Sequence, residues 1–82
     1  MLNAVPIALD EIYVPVKRRQ TLDKLKVETL AADILDNGLK LPIHVRRDKE
    51  RYVLVEGLHR LEAARALGEA NIEALIVNAR QH

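Results

Sequence analysis

The residues best placed to do chemistry stand together in Val55-Glu56-Gly57-Leu58-His59-Arg60. An apolar run passes through a single glycine into a helical pattern whose first turn holds a histidine and an arginine. Helix starts carry unpaired backbone N–H groups and about half a positive charge, so cations there work against the macrodipole. A sequence shaped only for stability would place Asp or Glu at this end. His59 and Arg60 make sense there if an anion collects the amides, the dipole and the guanidinium together. Gly57 supplies a positive φ or a close backbone approach. A surface helix start with incidental basic residues is the other reading that these residues allow.

Further charge lies upstream. Lys17-Arg18-Arg19 is continued by Lys24 and Lys26, and residues 17–60 hold eleven of the 13 basic residues against seven acidic ones. The formal net charge is only +1, so the asymmetry lies in distribution rather than total. Such a run is a solvated face or a patch for phosphate. Glu56, at the strand end before Gly57, is a candidate catalytic carboxylate, as general base or magnesium holder. Pairing with Arg60 or Arg65 is its structural alternative. His44 and His82 have no ligand-like spacing to another histidine, so no metal site is expected.

Composition removes other chemistries. There is no cysteine, which excludes disulfides, thiolate zinc ligands and thiol nucleophiles. Tyr13 and Tyr52 are the only aromatics, too few for a base-stacking platform and leaving an aliphatic core. No apolar run reaches the roughly 18 residues of a membrane span, and no signal peptide opens the chain, so a cytoplasmic location without membrane contact is expected. Eighty-two residues make a single domain, 1–82, with a thin core.

The elements that must position the junction follow from periodicity. Residues 5–9 read as a short strand whose Pro6 suits a sheet edge, and Ile12-Tyr13-Val14 continue extended to Pro15. From Thr21, Leu22, Leu25, Leu30 and Ile34, with Val27 and Ala31, mark an amphipathic helix of about four turns. Thr21 or Asp23 caps its start, and Asn37-Gly38 ends it. Ile43 to Arg46 alternates as a strand, Asp48-Lys49-Glu50 turns, and Tyr52 to Val55 is nearly all apolar, as a central strand would be. Leu58, Leu61, Ala64 and Leu67 form a second helix closed by Gly68, and Ile72 to Val77 a last strand before a short tail, 78–82. The expectation is an α+β domain, β-α-β-β-α-β, with a mixed sheet and two helices.

The stretch from Ile12 to Val77 resembles the ParB/sulfiredoxin superfamily. The supporting residues are Leu22-Asp23, the run from Lys26 to Ile34, Gly38, Pro42-Ile43-His44-Val45, the 56–60 junction, and Ala63-Ala64 before Leu67-Gly68. The resemblance implies a fold that holds a nucleoside triphosphate, ATP or CTP with Mg²⁺, its phosphates on the helix start at Gly57, Leu58, His59 and Arg60. It carries two phosphate contacts of sulfiredoxin, a lysine and a hydroxyl on the first helix, onto Lys26 and Thr29. A further hydroxyl position holds Asp33, an unfavourable charge unless it helps hold Mg²⁺. Partition proteins have an arginine before that helix; Arg19 best matches it, with Arg18 beside it. The sulfiredoxin nucleophile is replaced by Leu58, so sulfinic acid reduction is excluded. The helix-turn-helix and dimerisation regions of partition proteins have no counterpart within these 82 residues.

Three functions follow as expectations. The first is a nucleotide-binding module, with slow hydrolysis as an option, in DNA or plasmid maintenance or transcription regulation. The second is a small ParB-like nuclease acting on DNA through the same basic groove. The third is a non-enzymatic regulator that docks on a larger partner protein or on a second copy as a homodimer.

Overall fold

The computed structural model describes residues 3–78. Five strands form one mixed sheet in the order β1-β5-β3-β4-β2. They are β1 (Val5–Ala8), β2 (Ile12–Tyr13), β3 (Ile43–Asp48), β4 (Arg51–Glu56) and β5 (Asn71–Ile76). β1 pairs antiparallel with β5, β5 parallel with β3, β3 antiparallel with β4, and β4 parallel with β2. Among the described residues three α-helices accompany the sheet: α1 (Val16–Arg19), α2 (Lys24–Asn37) and α3 (Leu58–Ala66). The α+β class and mixed sheet are as expected; the short helix α1 is an addition.

β1 is an edge strand, where Pro6, opposite Glu73, removes no ladder bond from a neighbour on its open side. The strand ends at Ala8. Leu9 opens a 3₁₀ turn, Leu9–Glu11, that buries its side chain and ties its N–H to the carbonyl of Ala70 at 2.9 Å. β2 is two residues long, because Val14 leads into Pro15 and the chain turns helical. The amides of Arg18 and Arg19 donate to the Pro15 carbonyl at 3.0 and 3.2 Å. The basic cluster is therefore this one-turn helix, with its cations at the end where the dipole favours them. Four mostly polar residues show no apolar period, which is why the sequence does not reveal it.

β4 is interior, as its apolar run predicts, but the middle strand is β3, between β5 and β4. β3 and β4 form a hairpin through Lys49, whose φ of 59° is left-handed. The core is aliphatic. Ile43, Val45 and Leu54 from the sheet meet Leu58, Leu61 and Ala64 from α3, joined by Ile7, Ile72 and Ala74. Each large side chain buried there contributes about 1.5–3 kcal/mol.

The two long helices are held differently. α3 buries Leu58, Leu61, Ala63 and Ala64, whereas α2 has no buried residue. The expected apolar face of α2 is only half met: Val27, Leu30, Ala31 and Ile34 are half-buried, but Leu25 is 73% exposed and Leu22, just ahead of the helix, is exposed as well. A two-helix layer on a small sheet leaves the outer helix too little core to bury all its leucines. Its start is set by Asp23, whose Oδ1 accepts from the N–H of Leu25 at 3.0 Å and of Lys26 at 3.4 Å. Thr21 is not the cap; its hydroxyl donates to the Arg18 carbonyl at 2.8 Å and closes α1.

Candidate functional site

The junction between β4 and α3 turns on Gly57, at φ 110° and ψ 31°. A Cβ added there would stand 2.7 Å from Cγ2 of Ile43, so glycine is required by both backbone conformation and space. The sequence allows a close approach to a ligand at this glycine; the close approach present is to the protein's own central strand.

α3 begins without a cap. Gly57 has no side chain to offer, the first turn holds no acid, and the N–H groups of Leu58, His59 and Arg60 donate to nothing among the described residues. α2, by contrast, is capped by Asp23. Uncapped donors at the positive end of a nine-residue helix are an anion-binding arrangement when further cations surround them. Those cations are present. A cleft of about 450 Å³ in front of the helix start is lined by Arg18, Thr21, Leu30, Leu41, Gly57, Leu58, His59 and Arg60. No carboxylate is among the lining residues.

The two basic side chains in the first turn of α3 are held by backbone from either side of α2. Nε2 of His59 accepts from the N–H of Asp23 at 3.0 Å, which leaves Nδ1 to carry the ring proton of the neutral imidazole. Nη1 of Arg60 donates to the carbonyls of Leu41 and Pro42 at 3.0 and 2.7 Å. Nε and Nη2 have no acceptor among the described residues, and that edge matches the spacing of two phosphate oxygens.

Five of the nine site residues expected from sequence thus line one cleft: Arg18, Gly57, Leu58, His59 and Arg60. Lys26 and Thr29 lie exposed on α2 outside that lining, Lys26 on the same helical stripe as the cleft residue Leu30. Arg19 goes elsewhere. Its Nε donates to the Val14 carbonyl at 3.1 Å and its guanidinium lies 6.0 Å from the Tyr13 ring, whose face Arg51 approaches at 4.2 Å. Glu56 is exposed, off the cleft, with Oε1 3.7 Å from Nδ1 of His44, its register partner on β3. It pairs with neither Arg60 nor Arg65, which bridges to Glu62 at 3.4 Å. Thr21, Leu30 and the Leu41 and Pro42 carbonyls join the site without a sequence signal, since backbone acceptors leave no trace in residue identity.

Among the described residues the cleft lining carries basic groups suited to an anion and no carboxylate that could hold magnesium. Asp33, the carboxylate that the resemblance offered, has its Oδ1 accepting from Nδ2 of Asn37 at 2.9 Å and does not line the cleft. Among the described residues no group of three histidines or acids is placed to hold a metal ion. His82 lies outside the described residues. No helix of the described residues is long and apolar enough to cross a membrane.

Comparison with known proteins identifies the family and the fold. The family model described as the ParB N-terminal domain matches residues 3–82. A probable chromosome-partitioning protein ParB of Campylobacter jejuni is 34% identical over 73 residues; the match spans 88% of this chain but 26% of that protein. Sulfiredoxin from Arabidopsis thaliana superposes with a TM-score of 0.83 and 32% identity, covering 94% of this chain and 86% of that one. The C-terminally truncated ParB of Caulobacter crescentus, complexed with CTP-γ-S, superposes with a TM-score of 0.82 and 22% identity over 96% of this chain and 46% of that chain. With the uncapped helix start after Gly57 and the five-stranded mixed sheet that positions it, the chain belongs to the ParB N-terminal domain family and shares the fold of sulfiredoxin.

Proposed function

We propose that this chain binds a nucleoside triphosphate, ATP or CTP, by its phosphates at the start of α3. The observation that carries this reading is the uncapped helix start: three free amides, Arg18, His59 and Arg60 face one cleft that holds no carboxylate. An anion there gains the helix dipole, charge-assisted hydrogen bonds and a bidentate arginine at once. The Caulobacter ParB, similar in fold, was solved with a CTP analogue, which supports the nucleotide class. Mg²⁺ enters on the phosphates and their water, since the cleft gives it no carboxylate. The role is binding, and the setting is DNA or plasmid maintenance, or transcription regulation, where DNA and a homodimer or larger partner act beyond the cleft.

A nuclease acting here would need a base or metal-holding acid beside the phosphodiester, and Glu56 stands off the cleft. The docking reading has one observation of its own, the exposed leucines at 25, 35 and 41. Titration calorimetry against ATP, CTP and a DNA duplex, with and without Mg²⁺, tests the proposal. Binding of a triphosphate that is lost in Arg60→Ala, with circular dichroism unchanged, supports it; indifference to every nucleotide overturns it.

A further inference from the structure

Two hydrogen-bonded connections run from the start of α3, one to the N-cap of α2 and one to the loop that joins α2 to β3. His59 accepts from the N–H of Asp23, the N-cap of α2. Arg60 donates to Leu41 and Pro42, which follow α2 by a few residues. α2 has no buried residue of its own, so these bonds and its half-buried face are what seat it. A helix held this way opens at a cost well below that of global unfolding. The same bonds prepare the cleft. With Nε2 occupied, the neutral His59 ring presents its proton only from Nδ1, and with Nη1 occupied, Arg60 presents its Nε–Nη2 edge. When α2 leaves, His59 loses its holder, and the loop that holds Arg60 loses its anchor on the α2 side.

We propose that a polyphosphate binds only the form in which α2 is seated, so that ligand binding clamps α2, with Asp23, Leu41 and Pro42 as positioning residues. The inference rests on the phosphate reading above and adds to it the element that responds. A ligand selecting one of two forms shifts the population by its differential affinity, and the coupling is reciprocal. Loosening α2 must therefore weaken binding without touching the ligand, and binding must slow the opening of α2.

Amide hydrogen exchange on the full chain, free and with inorganic tripolyphosphate, ATP or CTP, reads both directions, with calorimetry run alongside to report binding. In the free protein, His59→Gln and Arg60→Ala should each speed exchange in α2 while β3 amides, which report the fold, keep their protection. Unchanged α2 exchange in both variants overturns the fastening, whatever the ligand result. With ligand at about 100 times its dissociation constant, α2 amides that exchange by local opening should slow by about 100-fold. Asp23→Pro, which removes the N–H that His59 accepts, should bind at least several-fold more weakly than Asp23→Ala, which loses the cap but keeps that N–H. Calorimetric binding with α2 exchange unchanged overturns the clamp and leaves the phosphate site standing. No binding by any of the three ligands overturns both.

Discussion

The N–H of Asp23 donates to Nε2 of His59 across a separation of 36 residues. The carboxylate of Asp23 meanwhile caps α2. One residue thus satisfies two orphan amides of its own helix and orients a side chain at the start of another. Pairings like this make the cleft a property of two helices together.

Capping by Asp23 predicts a measurable loss in Asp23→Ala. Removing an N-cap acid costs about 0.5–2 kcal/mol, whereas Thr21→Ala, which loses only an exposed bond to the Arg18 carbonyl, should cost less. Urea unfolding of the two variants checks the order. Equal losses would return the cap to doubt.

Gly57→Ala should be among the most damaging single-methyl changes in the chain. The new Cβ meets Ile43 at 2.7 Å at a φ of 110°, and overpacking with left-handed strain together cost about 2–4 kcal/mol. Gly68→Ala, at φ 77° with nothing within 4 Å, carries the backbone term alone and should cost about 1–2 kcal/mol. A small domain has little more than that to lose, so thermal melts should separate the two variants clearly.

Arg18 and Arg19 are adjacent but differently employed. Arg18→Ala should weaken triphosphate binding by about 10-fold or more, the worth of a charge-assisted hydrogen bond. Arg19→Ala, whose guanidinium lies by Tyr13, should leave affinity within about two-fold and reduce stability slightly. Calorimetry on both variants decides, and a larger loss in Arg19→Ala would redraw the cleft.

Glu56→Gln should leave nucleotide affinity unchanged, because the exposed Glu56–His44 pair lies outside the cleft and such pairs contribute about 0–1 kcal/mol. Phosphate release assayed on the same variant tests a catalytic part. A loss of turnover with binding intact would assign one to Glu56 after all.

What the sequence determined by itself is the local order. Periodicity marks α2, α3, β3, β4 and β5, and Pro6 marks the edge strand. Gly57 and Gly38 mark positions where the chain needs glycine; both hold positive φ, Gly57 left-handed and Gly38 extended at ψ 169°. The mixture of His59 and Arg60 at a helix start with no acid is equally a local fact, because capping and dipole effects act within one turn. α1 was hidden because one turn of polar residues has no period, and the exposure of Leu25 because burial depends on how much core the sheet supplies.

Tertiary structure alone decided which cations share the cleft. Arg18 and Arg19 are neighbours in sequence, yet the turn of α1 sends one to the cleft and the other to Tyr13. The holders of His59 and Arg60 are a backbone N–H, which every residue but proline carries, and two carbonyls, which every residue carries, so only the packing of α2 across α3 selects them.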